Sequence, residues 1–258
     1  TEVLKHRHIN DCVFLISYRD IPILKNNRTE PYDNLYENSK NKEIKLKKEY
    51  FNTNFIPICS PTTNNGYANI SLIDSETIQV ISNKLFPKKC DDSYTQSKLK
   101  DIEKNWDKKK NIAIFRGGAT GCGITVDSNK RLKVSDLSLK HSDLLDAGVT
   151  DWNGRLKKTS TGYLDIIDES SFKFGLADKK SRKEMSEYKY IIHIEGHSAA
   201  FRLGYELSLN SVVLFVPGKY DVWCTQLLKP YEHYVPIKED MSDLISQIKW
   251  CKKNDNKI

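Results

Sequence analysis

The sequence predicts an α/β fold built on parallel strands. Apolar runs of strand length recur through the C-terminal half, glycine-rich or helix-forming stretches follow them, and the last ones arrive in strand, helix, strand order. A parallel pair needs such a crossover, which makes this order the signature of βαβ units.

Taken in order, "CVFLISY" (12–18) reads as a strand ending in the turn "RDIP". Residues 28–50 read as helix or loop, "NFIPICS" (54–60) as a strand, and "SETIQVISNKLF" (75–86) has mixed periodicity that leaves its state open. Leu99, Ile102 and Trp106 have helical spacing within 93–110, and a lysine cluster favourable at a helix C-terminus follows them. "NIAIFRGG" (111–118) is a buried strand running into glycines, and 127–148 holds a helix and its exit. "YKYIIHIEG" (188–196) is a strand, 198–210 a helix, "SVVLFVPG" (211–218) a strand and 241–253 a terminal helix. A boundary near 107–111 divides the chain into an N-terminal domain, 1–108, a second domain, 109–240, and the C-terminal helix, 241–258.

With 258 residues, 38% hydrophobic and 29% charged, the chain has the composition of a globular protein. It contains no apolar run of about 18 residues, which argues against a membrane span. "TEVLKHRHIND" lacks an apolar leader core, so a signal peptide is expected to be absent or already removed. Six cysteines, scattered without CxxC pairs or histidines at metal spacing, argue against zinc and against a dense disulfide framework, and favour a reducing, cytoplasmic compartment. The net charge of +7 suits nucleic acid, an acidic surface or a phosphorylated small molecule. Its lysines are spread along the chain and form no reader motif, so no nucleic-acid partner is expected.

Three stretches carry candidate chemistry. In "HIEGHSAAFRLG", Gly196 and His197 follow a strand, Ser198 fits a helix N-cap, Ala199 and Ala200 leave room for close approach, and Arg202 offers a bidentate fork. These residues suit either an anion site or an ordinary packed turn, and alone they do not choose. "FRGGATGCG" (115–123) places Gly117 and Gly118 after a strand, with Arg116 and Arg131 as possible charges or ordinary ion-paired arginines. In "SYRDIP", Asp20 stands at a strand end before Pro22, as a general base or as a turn cap. His197 is the better acid/base candidate among the histidines, His193 reading as a core residue. No DxD pair appears, so metal ligands for a nucleotide sugar are not expected.

Together "SYRDIP", "IFRGGATG" and the segment 188–245 resemble the successive motifs of glycosyltransferase family 90, which includes Rumi-type protein O-glucosyl/O-xylosyltransferases and capsule-associated xylosyltransferases. The resemblance implies a GT-B-like fold, two Rossmann-like domains with parallel sheets facing a central cleft. It implies inverting transfer from a UDP-sugar, without a metal, to a glycan or glycoprotein hydroxyl, UDP-xylose being the first donor and UDP-glucose the second. By the same resemblance Asp20 is the catalytic base, Gly196 to Arg202 (with Phe201) hold the donor diphosphate, and Arg116, Gly117 and Gly118 line the cleft. Rumi-type members carry Ser where Gly118 stands and Arg where Ile124 falls; either Arg131 replaces that arginine or the contact is lost. Glu206, one helical turn past Arg202, is placed to reach the donor ribose or to form a salt bridge, and the loop Pro217–Tyr220 to select the sugar. Compact Lys/Asn-rich members resemble those of large DNA viruses, which implies a capsid-glycan acceptor in the host cytoplasm. The competing reading is a non-catalytic sugar-nucleotide or carbohydrate-binding module.

Overall fold

The computed structural model describes residues 15–17, 19–26, 58–74, 106–159 and 161–255. It divides into two units, Thr1–Leu72 and Ile73–Ile258. The boundary expected near 107–111 adjoins residues 75–105, which lie outside the described residues, as do the expected elements at 28–50 and 75–86 and most of that at 93–110.

In the first unit, β1 (Leu15–Ile16), β2 (Ile58–Ser60) and β3 (Ile70–Ser71) form a parallel sheet in the order β1-β2-β3. The central strand is buried throughout and its neighbours are largely exposed. Asn69 secures the segment after β1: its Oδ1 accepts from the main-chain N–H groups of Ile23 (3.1 Å) and Leu24 (2.8 Å), whose side chain in the latter case is fully buried.

The second unit is a mixed α/β structure around a five-stranded parallel sheet. The strands of that sheet and the α-helices are β4 (Lys110–Gly117), α1 (Lys130–Lys140), β5 (Leu145–Val149), α2 (Arg182–Met185), β6 (Tyr188–His193), α3 (Leu203–Glu206), β7 (Val212–Phe215), β8 (Val235–Pro236) and α4 (Leu244–Lys253). The sheet order is β5-β4-β6-β7-β8, all parallel. Both faces are covered, which is why the central strands carry unbroken apolar runs. Ala113 and Phe115 pack in one cluster with Val134 of α1 and Leu244 and Ile248 of α4. Ile114, between them in sequence, packs on the other side with Met185 of α2 and Leu209.

Two elements depart from expectation. The exit from α1 is itself a strand, β5, despite Asp146 and Gly148, residue types that strands disfavour. Asp146 is accommodated because it accepts from the Tyr188 hydroxyl at 2.6 Å and pairs with Arg116 at 2.5 Å. Burial opposes its ionisation, but these partners prevail and hold its carboxyl below the usual range. The helix expected over 198–210 is one turn, α3; Gly204, Ser208 and Asn210, the last at φ 51°, weaken and end it. Ser198 is therefore not an N-cap; that position before α3 is held by Arg202, with no side-chain capping bond. No described helix is long and apolar enough to cross a membrane.

Candidate anion site at the sheet switch point

From β4 the chain passes to β5 on one side and then to β6 on the other. The crevice beyond the carboxyl ends of β4 and β6 is thus the topological switch point, where open parallel sheets bind ligands. The two glycine-bearing motifs meet there.

Asn129 builds one wall. As N-cap of α1 its Oδ1 accepts from the N–H groups of Arg131 (3.0 Å) and Leu132 (3.3 Å), while its Nδ2 donates to the carbonyls of Thr120 and Gly123, both at 3.2 Å. The glycine-rich loop is thereby fastened to the helix that carries Arg131. The Arg131 guanidinium then donates from Nε to Glu195 O (2.9 Å), from Nη1 to Gly118 O (3.0 Å) and from Nη2 to Ile194 O (3.0 Å), clamping the loops after β4 and β6 together.

Arg202 enters from the other side. Its Nη1 donates to Arg116 O at 2.6 Å, and its Nε lies 3.0 Å from Glu206 Oε1 without hydrogen-bond alignment. Both guanidiniums lie over the same Phe115 ring, 5.7 Å from its centroid for Arg131 and 5.0 Å for Arg202. Gly117 separates them: a Cβ there would come within 3.2 Å of the Phe115 ring and 3.3 Å of each Nη1. Gly196 is equally confined, its Cβ position lying 2.8 Å from Thr120 Oγ1.

Two cations this close, Arg131 buried and Arg202 half-buried, repel. Burial first, and then Arg202, lowers the Arg131 pKa to about 9 against the opposing pull of Glu206 and Glu195. Glu206 is fully buried, its Oε2 2.6 Å from His193 Nδ1, and it does not face open space as a ribose ligand would require; it holds Arg202 and His193. Glu195 is occupied elsewhere, accepting from Lys219 N at 2.6 Å and pairing with Lys130 at 3.4 Å. Lys157, buried beside Asn153 (3.1 Å), adds positive charge, and the Arg202 Nη2 has no hydrogen-bond partner among the described residues. The crevice carries an excess of positive charge suited to an anion.

Other expected residues sit as follows. The Arg116 side chain turns to Asp146 and to the main-chain carbonyls of Phe115, Asp146 and Asp178, so its contribution to the crevice is its own carbonyl. Gly118 has ordinary space, the nearest atom to a Cβ being Asp151 Oδ1 at 3.6 Å. Ser198 is buried, its carbonyl accepting from Gly196 N at 3.0 Å, and Phe201 packs in the apolar cluster of Leu203 and Val213. Ala199 and Ala200, with His193, Phe215 and Tyr220, line a narrow cavity between the ends of β6 and β7. His197 is exposed, 3.4 Å from Asn153 Oδ1. Asp20 lies in the first unit just past β1, its side chain exposed and its carbonyl accepting from Thr62 Oγ1 at 2.7 Å. Among the described residues no group of three or more His, Cys, Asp or Glu forms a metal cluster. The sequence reading did not single out Asn129, Phe115 or Lys157; an Asn just before a helical stretch is a readable N-cap signal, whereas the other two become visible only once the loops meet.

The model of glycosyl transferase family 90 matches residues 81–258. The chain is 37% identical to uncharacterized protein 035R of Invertebrate iridescent virus 3 over 98% of its own length and 23% of that protein. It is 34% identical to uncharacterized protein 179R of Invertebrate iridescent virus 6, over 99% of the chain and 24% of the relative. It is also 32% identical to human protein O-glucosyltransferase 3 over 58% of the chain and 26% of that protein. The chain thus spans about a quarter of the length of these relatives. Because the family match covers the whole five-stranded sheet and both loops of its switch point, the chain belongs to glycosyl transferase family 90.

Proposed function

We propose that the chain is an inverting glycosyltransferase that moves a sugar from a UDP-sugar to a hydroxyl of a glycan or glycoprotein, in a GT-B-like arrangement of two Rossmann-like domains. The observation that carries this is the pair of guanidiniums over Phe115 at the switch point, with positive charge that the buried Glu206 offsets only in part. The UDP diphosphate takes the remaining acceptor role, accepting from Arg202 and from loop N–H groups. The single turn of α3 is too short to supply a helix-terminus field.

In the proposed reaction Asp20 accepts the proton of the acceptor hydroxyl as its oxygen attacks the anomeric carbon. The bond from that carbon to the phosphate oxygen breaks, inverting the centre, and the charge passing to UDP is stabilised by Arg202 and the field of Arg131. Glu206 and His193 position Arg202, Arg131 positions the two loops, and no metal is required. UDP-glucose and UDP-xylose are the two donors, and the name of the human relative favours glucose. The similarity to iridescent-virus proteins supports a glycan of the virus particle as acceptor.

A panel of UDP-sugars scored by thermal shift and by hydrolysis in excess chelator tests this reading, since a bound donor stabilises according to its affinity. Stabilisation and turnover with UDP-glucose or UDP-xylose in chelator are expected. Strict manganese dependence would refute the metal-free mechanism, and stabilisation without turnover would favour a binding module. In the same assay Gly117→Ala should weaken UDP binding, because its methyl group pushes on both guanidiniums, whereas Gly118→Ser should fold and bind normally.

Partial desolvation of this largely exposed ring, and then Lys157, Arg155 and Arg131, lower the His197 pKa below the ordinary imidazole value. The unfolded chain takes up this proton at higher pH than the folded one, so the His197 contribution to stability declines as pH falls through the ordinary imidazole range. An anion bound among these cations opposes the shift. NMR titration of the His197 ring should show a depressed pKa in the free protein and a higher one with UDP; an unchanged value would remove His197 from the ligand's surroundings.

A further inference from the structure

At the end of the large sheet where its strands begin, opposite the guanidinium pair, a groove of about 480 Å³ opens before β7 and β8. That size suits a small organic ligand. Trp106, Asn210, Tyr231, Glu232, His233 and Tyr234 line it. Beyond Tyr231 a second depression of about 490 Å³ continues over Ser246, Gln247 and Trp250. Tyr231 is the ridge between them, 5.5 Å from the Trp250 ring at 70°, its hydroxyl accepting from Gln247 Nε2 at 3.4 Å.

The ridge is held rigidly and at a cost. His233 N donates to Lys229 O (3.0 Å), Lys229 N to His233 Nδ1 (3.0 Å) and Tyr231 N to Tyr234 O (2.7 Å). Tyr231 adopts φ 61°, the left-handed region that bulky side chains rarely enter. Its ring nevertheless fills no core, being 58% exposed. Backbone strain that displays an aromatic ring to solvent points to a bound ligand rather than to folding.

The lining selects the ligand's chemistry. Among the described residues no lysine or arginine lines either depression, and the carboxylate that does, Glu232, is within 3.3 Å of Lys229 and 3.8 Å of His233. A phosphate or polyanion meets no lining lysine or arginine among the described residues, the nearby Lys229 being paired with Glu232, and an apolar helix would meet Asn210, Ser211, Gln247 and Glu232 beside Leu207, Val212 and Val235. A sugar ring presents C–H faces that stack on tyrosine and tryptophan, and a hydroxyl rim that pairs with amides, hydroxyls and a carboxylate. We propose that this aromatic groove is a second binding site, at the opposite end of the large sheet from the guanidinium pair, for a neutral oligosaccharide. Its identification as a glycan acceptor or product site rests on the transferase reading; binding itself does not.

The test is an array of neutral hexose and pentose oligosaccharides, with acidic glycans and peptides as controls, probed with the full chain in saturating UDP. Neutral oligosaccharides should be retained, and UDP should not displace them. Tyr231→Gly should weaken retention about tenfold while the melting temperature holds or rises, because glycine suits φ 61°; Tyr231→Phe should retain binding. No neutral saccharide retained, retention abolished by UDP, or equal retention by Tyr231→Gly would each overturn the proposal. UDP-induced stabilisation of the wild-type chain reports separately on the transferase reading, so the two fail distinguishably.

Discussion

Asp20→Asn is expected to abolish sugar transfer while leaving UDP-induced stabilisation unchanged. The side chain is exposed past β1, and its backbone is secured independently of the carboxylate, by Thr62 Oγ1 on its own carbonyl and by Asn69 on the following residues. The substitution keeps shape and removes only proton affinity, so stability should move by no more than about 0.5 kcal/mol. Loss of a positioned general base lowers turnover by about 10²–10⁴. Parallel transfer assays and thermal shifts with UDP check both halves, and equal activity in the variant would remove Asp20 from the mechanism.

Arg202→Ala is expected to affect both donor binding and stability, and the two must be separated. Removing the guanidinium takes away the proposed diphosphate contact, a loss on the order of 2.7–4 kcal/mol at the transition state. It also strands Glu206, fully buried and left with His193 alone; breaking such a buried pair costs about 3–5 kcal/mol. Adding Glu206→Gln removes the stranded charge. The double variant should therefore recover much of the melting temperature and none of the UDP affinity. If UDP binding returned with stability, Arg202 would be a structural residue only.

The parts of the fold that the sequence shows are those with a run of consecutive buried residues, Ala113–Phe115 in β4 and all of β6. β4 and β6 lie in the middle of a sheet covered on both faces, and their apolar runs say so directly. β5 is hidden because it is an edge strand whose Asp146 is satisfied by Arg116 and Tyr188, partners 30 and 42 residues away. α3 is over-extended in the sequence reading because Ser198 matches a cap pattern while Gly204 and Asn210 limit the helix. Within the candidate site, Arg202, Gly117 and Gly196 are visible as motif residues, and their confinement against one another explains the motif. The direction of the Arg116 side chain is not visible, and neither is the His193–Glu206 pair, which joins a strand to a helix 13 residues on with no local pattern.

The central claim is that the switch-point crevice holds the diphosphate of a nucleotide. Calorimetric titration of the wild-type chain with UDP and with uridine tests it most directly, because the two ligands differ only in that group. UDP is expected to bind at least about tenfold tighter than uridine, a difference of about 1.4 kcal/mol or more, and Arg202→Ala/Glu206→Gln is expected to remove that difference. Equal affinities for UDP and uridine, or a preference for UDP that survives in that variant, would contradict the claim.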